Sequence, residues 1–166
     1  PLFPYTTLFR SDPDVKNVIF LDRSARPAYQ VFKKTWEATQ EGERPGIYFV
    51  APKVMEEYGV GEEEVALFKK EHSYLARAKD EGTLIFDVCA KEGGTLQNMH
   101  DLLGRSGFTD VHSMVTAVHE EKEQHFTPDN VLYGDHHLGC HLFGAFYNDE
   151  VGTERNGYSF LSKPSK

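Results

Sequence analysis

One segment near the middle of the chain reads Thr-Leu-Ile-Phe-Asp-Val-Cys-Ala-Lys-Glu-Gly-Gly-Thr, from Thr83 to Thr95. It begins with a nearly continuous apolar run, the pattern of a strand that is buried on both faces of a parallel sheet. The two glycines predict a tight turn, and apolar residues at helical spacing follow from Leu96. The segment therefore predicts a strand that ends near Val88, then a glycine turn, and then a helix.

The same alternation of strands and helices extends to both sides of this segment. Further apolar runs predict strands at Val15–Leu21, Gly46–Val50 and 110–118. Helical spacing predicts helices from Pro27, over 52–58, and from Glu62 to Gly82. Strands that alternate with helices pair in parallel through right-handed crossovers. We therefore expect an α/β fold, an open and mainly parallel sheet with helices on both faces.

The two ends of the chain differ from the middle. The back-translation of residues 2–11 resembles a common sequencing-library adaptor, so residues 1–11 are interpreted as an artefact and the natural domain as truncated at its N-terminus. Residues 12–166 are expected to form one domain, because that length suits a single hydrophobic core. From about residue 120 the periodicity weakens, which predicts an irregular C-terminal tail rich in glycine and aromatic residues.

Composition excludes several classes of partner. Without residues 1–11 the chain holds 26 acidic and 17 basic residues, a formal charge of −9, whereas a nucleic-acid-binding protein needs the opposite sign. No apolar run approaches the roughly 20 residues of a membrane span. Two cysteines are too few for a disulfide framework. We expect a cytoplasmic protein that binds neither nucleic acid nor membrane, and a homodimer is compatible with the sequence.

The glycine turn has the chemistry of an anion-binding site. Glycines let the backbone approach a phosphate closely, consecutive N–H groups converge on it, and a helix N-terminus adds a positive field. The Thr95 hydroxyl can donate a further hydrogen bond. Asp87 is expected at the end of the strand, on the edge of the sheet where open α/β folds bind ligands. A carboxylate there can accept hydrogen bonds from sugar hydroxyls, directly or through a metal.

Residues 83–95 resemble the phosphoribosyl-diphosphate loop of type I phosphoribosyltransferases. In that family a four-residue hydrophobic strand precedes two acidic residues and a Thr-Gly-Gly-Thr turn. The resemblance implies a phosphoribosyltransferase-like fold, a phosphoribosyl ligand and Mg²⁺ as the cofactor. It assigns the ribose and the metal to Asp87, and the 5′-phosphate to Gly93, Gly94 and Thr95.

Three residues of this segment depart from the family pattern. Val88 stands in the position of the second acidic residue, and Lys91 in that of an acidic general base. Glu92 replaces the first threonine of the turn, where its carboxylate would repel a phosphate unless it turns away. Lys91 and Glu92 still border the expected phosphate site. The substitutions bear mainly on whether catalysis survives.

A second segment, Phe-Leu-Asp-Arg-Ser-Ala-Arg-Pro from Phe20, resembles the region of the same family's diphosphate-binding loop. The resemblance implies that Arg23 and Ser24 bind the diphosphate, together with N–H groups of the helix that follows. In the alternative interpretation Arg23 and Arg26 pair with surface acids such as Glu41 or Glu43, and Ser24 caps the helix.

Three functions remain open on the sequence alone. The first is binding of phosphoribosyl diphosphate or a nucleoside 5′-monophosphate, with phosphoribosyl transfer to an acceptor and a catalytic role for Asp87 if the protein is an enzyme. The second is a regulatory domain that keeps the phosphate site without transfer chemistry, which Val88 and Glu92 favour. The third is a metal-binding interaction module at 135–141, Asp-His-His-Leu-Gly-Cys-His, although a second ligand pair is not obvious. An ordinary strand-turn-helix without a ligand is the remaining alternative.

Overall fold

A computed structural model describes residues 14–22, 25–39, 43–51, 61–90, 92–118 and 125–133. The strands are β1 (Val15–Leu21), β2 (Gly46–Val50), β3 (Gly82–Ala90), β4 (Val111–Val118) and β5 (Asn130–Tyr133). The helices are α1 (Arg26–Thr39), α2 (Glu62–Glu71), a 3₁₀ helix (Ser73–Ala78) and α3 (Gly94–Ser106). The helix predicted over 52–58 lies outside the described residues. None of the described helices is long and apolar enough to cross a membrane.

The five strands form one parallel sheet in the order β2-β1-β3-β4-β5. The chain moves from β1 outward to β2, and from β3 in the opposite direction to β4. Right-handed crossovers in opposite directions place their helices on opposite faces, so α1 lies on one face and α3, with α2, on the other. This confirms the predicted α/β fold with an open parallel sheet and helices on both faces. The direction reverses between β1 and β3, where open α/β sheets bind their ligands.

An apolar layer lies on each face of the sheet. On the α1 face Phe20 is the centre of an aromatic cluster, with ring centroids 5.4 to 6.1 Å from those of Phe32, Phe49 and Phe86. On the other face α2 and α3 bury aliphatic and aromatic side chains against β1, β3 and β4. Because β3 contributes side chains to both layers, Leu84, Ile85 and Phe86 are all apolar and do not alternate with polar residues before Asp87.

The helix predicted from Glu62 to Gly82 is wrong in its second half. The α-helix ends at Glu71, and Gly82 is the first residue of β3. His72 leaves the helical region with φ −107° and ψ 36°, and its ring packs 4.7 Å from that of Phe68. The 3₁₀ helix then turns the chain back toward the sheet, because Leu75 and Ala78 are buried. Burial of these side chains outweighs the helical spacing that the sequence displays.

Tyr74, in this 3₁₀ helix, closes part of the outer side of β2. The carbonyl of Val50 accepts a hydrogen bond from the N–H of Asp22, so the carbonyl of Phe49 faces away from β1. The Tyr74 hydroxyl donates to that Phe49 carbonyl at 2.9 Å, and it lies 2.8 Å from His72 Nδ1. Tyr74 thus supplies a hydrogen-bond donor to a strand carbonyl that β1 does not reach.

His72 makes the stability of the protein depend on pH. Burial lowers the pKa of His72 from its ordinary value of 6.5, so the unfolded chain takes up this proton at a higher pH than the folded one. The His72 contribution to stability is therefore complete above pH 6.5 and is lost as the pH falls through the lowered folded pKa. We expect the free energy of unfolding, measured with urea between about pH 5 and pH 8, to decrease less toward low pH in His72→Gln than in the wild type. Identical pH profiles of the two proteins would contradict this assignment.

Candidate functional site

The glycine turn joins β3 to α3 at the carboxyl edge of the sheet. Gly93 occupies the N-cap position with φ 82° and ψ 0°, and its carbonyl accepts the N–H of Gln97 at 2.9 Å. Having no side chain, Gly93 offers no capping group to the N–H groups of the first helical turn. Gly94 is exposed, and a Cβ atom there would meet nothing within 4 Å. The turn therefore exposes the start of a helix of about three and a half turns, and such a helix start can attract an anion.

The other predicted residues of the turn lie beside this helix start. Thr95 is in the first turn of α3 and is half-buried, whereas Glu92 is exposed. The exposure of Glu92 leaves room for its carboxylate to turn away from a bound phosphate. Lys91 lies outside the described residues. The predicted glycine turn thus lies at the start of α3, and the role of Glu92, Gly93, Gly94 and Thr95 in phosphate binding stays a prediction.

A contact that the sequence did not reveal covers the inner side of the turn. The N–H of His125 donates to the carbonyl of Glu92 at 2.9 Å. A Cβ atom on Gly93 would lie 2.4 Å from the carbonyl oxygen of Phe126 and 3.0 Å from its Cβ. We call these two residues, His125 and Phe126, the strap. They belong to the connection between β4 and β5, and no periodic pattern in that connection signals the contact.

Asp87 lies deeper in the sheet than predicted. The expectation that it ends the strand is wrong, because β3 continues to Ala90. Three residues at about 3.3 Å each place Asp87 roughly 10 Å back from the strand's end. The side chain is 8% exposed, and its Oδ1 accepts the N–H of Val88 at 2.7 Å. Its assignment to the ribose stays a prediction.

Val88, in the position of the family's second acidic residue, is a core residue. Its side chain is 3% exposed and packs in the α1-side layer with Phe86 and Met114. An ionised carboxylate in that layer would lose its hydration without a charged partner, which costs several kcal/mol. An apolar residue here is therefore explained by packing.

Arg23 and Ser24, the predicted diphosphate-binding residues, lie outside the described residues. Two residues close to them in sequence form a bidentate ion pair, in which Arg26 donates to Asp22 at 2.5 and 2.8 Å. This pair raises the pKa of Arg26, mainly through the hydrogen bond to Asp22. The guanidinium lies 5.4 Å from the ring centroid of Phe49. Arg26 thus pairs with Asp22 and not with Glu43, and the acid-to-arginine spacing of four residues was the available signal.

Metal binding depends on few protein groups in the described part of the chain. No group of three or more His, Cys, Asp or Glu residues is placed there to hold a metal ion. The predicted cluster at 135–141 lies outside it. Mg²⁺ is often held by one or two carboxylates together with water and ligand phosphates. Of the two carboxylates within residues 83–95, Glu92 is exposed and Asp87, the predicted metal ligand, is 8% exposed. The phosphates of a ligand and water would therefore supply most of the coordination.

A shallow groove of about 380 Å³ lies elsewhere, between α2 and α3. It is lined by Glu62, Val65, Ala66, Lys69 and Arg105. Arg105 is eleven residues along α3 from Gly94, roughly 16 Å at the helical rise. The groove is therefore separate from the glycine turn, which is an open site at the sheet edge.

Comparison with known proteins adds no family to this description. No protein-family model matches the chain, and no curated protein matches it. A functional conclusion therefore depends on the geometry of the turn and on the chemistry of its residues.

Proposed function

We propose that this chain binds a phosphoribosyl ligand, phosphoribosyl diphosphate or a nucleoside 5′-monophosphate, with its 5′-phosphate at the glycine turn. The observation that carries the proposal is the left-handed Gly93 at the start of α3, directly after a buried parallel strand. This strand adjoins the point where the sheet reverses direction, which is the usual ligand position in such folds. These features suit a small anionic ligand. We also propose that the protein is cytoplasmic.

Each residue of the proposed site has one role. The N–H groups at Gly94 and Thr95 and the Thr95 hydroxyl donate to the phosphate on the exposed side of the turn, and the left-handed Gly93 sets the direction of the backbone that presents them. Asp87 orients the ribose, or a Mg²⁺ ion carried by the ligand. Arg23 and Ser24 are proposed to bind the diphosphate. Mg²⁺, when bound, would neutralise charge on the departing diphosphate in a transfer reaction.

Binding without transfer is a second candidate, and one observation favours it. Asp87 is 8% exposed and Val88 is packed in the core, so this segment lacks the exposed pair of acids that a reacting ribose would contact. A protein of this kind would bind the phosphoribosyl ligand as a signal. Release of diphosphate in the presence of an acceptor distinguishes an enzyme from such a regulatory domain.

The first test is a thermal-shift titration with phosphoribosyl diphosphate and Mg²⁺. A ligand at about 100 times its dissociation constant adds about 2.7 kcal/mol to the stability of the folded state. We expect Thr95→Val and Asp87→Asn to reduce the shift, because the first loses a phosphate donor and the second a ribose or metal acceptor. Two exposed positions away from the turn supply matched controls, Thr109→Val and Asp80→Asn, which should bind normally.

Two outcomes of this titration would count against the proposal. If folded wild-type protein shows no shift with either phosphoribosyl diphosphate or a nucleoside monophosphate, the ligand assignment fails. If the controls lose the shift as strongly as Thr95→Val, the ligand binds at another position.

A further inference from the structure

The strap fixes the glycine turn from outside the strand-turn-helix unit. One hydrogen bond joins the backbones of Glu92 and His125 at 2.9 Å, so the residue before the N-cap is held by the β4–β5 connection. The Phe126 backbone lies directly over the α-carbon of Gly93. The strap thus covers the inner side of the turn at Gly93, whereas Gly94 at the start of α3 stays exposed.

The ring of Phe126 anchors the strap. It is half-buried, packs against the core layer formed with α2 and α3, and lies 5.7 Å from the His100 ring of α3. Beyond the strap, Asp129 accepts hydrogen bonds at Oδ2 from the N–H and the hydroxyl of Ser113, at 2.7 and 2.9 Å. These bonds tie the start of β5 to β4. The connection is therefore held at the turn and at β4.

These contacts have a consequence for a phosphate bound at the turn. A backbone anion site needs its N–H groups held in one arrangement, because the ligand gains little from donors that first have to be ordered. Glycine is the residue least restricted to any one conformation, so the left-handed state of Gly93 is not fixed by its own chemistry. The strap supplies the missing restraint.

We infer that Phe126 is a positioning residue for the phosphate site, acting through the strap on the Glu92–Gly93 turn. The inference rests on the proposed function, because it assigns to Phe126 a part in phosphate binding at that same turn. Phe126 does not itself contact the ligand. Through the strap it holds the carbonyl of Glu92 and the α-carbon of Gly93 in place. The direction of the first N–H groups of α3 is thereby fixed.

The test measures binding of ribose 5-phosphate by calorimetry at a temperature at which circular dichroism shows every variant to be folded. Phe126→Ala should raise the dissociation constant by about tenfold or more, the size of effect seen when a residue that orients a metal ligand is removed. It should also shift the amide signals of Gly94 and Thr95 in the unliganded protein. Phe126→Leu, which retains an apolar anchor, should bind within about threefold of the wild type.

Phe108→Ala is the matched control. Phe108 lies in the same core layer, after the other end of α3, and is 6% exposed. Its loss should destabilise the protein without changing the dissociation constant or the Gly94 and Thr95 signals. Wild-type affinity in Phe126→Ala, or an equal loss in Phe108→Ala, would overturn the inference alone. If the wild type binds none of ribose 5-phosphate, phosphoribosyl diphosphate and a nucleoside 5′-monophosphate, the proposed function is overturned and, with it, the role of Phe126 in binding.

Discussion

Gly93→Ala is expected to destabilise the protein by about 2–4 kcal/mol, from left-handed strain and from overpacking. The strain arises because Gly93 has φ 82°, where an L side chain is disfavoured. The overpacking arises because the new methyl group would lie 2.4 Å from the carbonyl oxygen of Phe126, a backbone atom that cannot rotate away. Urea unfolding monitored by circular dichroism measures the loss. The variant should also lose ribose 5-phosphate binding, since relief of the clash moves the strap or the turn.

Gly94→Ala supplies the comparison for this prediction. The neighbouring glycine is the first residue of α3, and a Cβ atom there has open space around it. Alanine is favoured over glycine in helices by up to about 1 kcal/mol, so this variant should be neutral or slightly more stable. Equal stability losses in the two variants would show that the turn tolerates neither methyl group, and the special role of Gly93 would be wrong.

Phe20→Ala should cost about 3–5 kcal/mol, the usual range when a buried phenylalanine is truncated. Phe20 is 1% exposed and has aromatic neighbours on β2, β3 and α1, so its loss opens a cavity that no single element can close. The edge-to-face contact with Tyr29 at 5.5 Å is lost as well. The midpoint of urea unfolding should decrease while the slope is unchanged.

The control for Phe20→Ala is Leu67→Ala on α2. Leu67 is 44% exposed, so its truncation should change stability by less than about 0.5 kcal/mol. A loss for Phe20→Ala as small as that of Leu67→Ala would mean that the aromatic cluster is not a continuous core. Because the two substitutions both remove a large apolar side chain, the difference between them reports burial.

The site itself could be predicted in part from its local sequence. The turn at Gly93 and Gly94, and its position between a strand and a helix, follow from glycine chemistry and hydrophobic periodicity, which act over a few residues. The depth of Asp87 could not be predicted, because the strand continues to Ala90 through pairing with β4, and such pairing depends on residues distant in sequence. The ion pair of Asp22 with Arg26 could be predicted only in part. Its four-residue spacing is a local signal, but other surface acids were equally plausible partners for Arg26.

The sequence by itself determined the α/β class, the bounds of β1 and β2, and the glycine turn, because each depends on the order of apolar residues along a short segment. The tertiary structure alone decided the break at His72, where burial of Leu75 and Ala78 overrides helical spacing. It also decided the strand order and the contact of Phe126 with Gly93. These features join residues that are far apart along the chain, and their energies arise only when separate elements pack against one another.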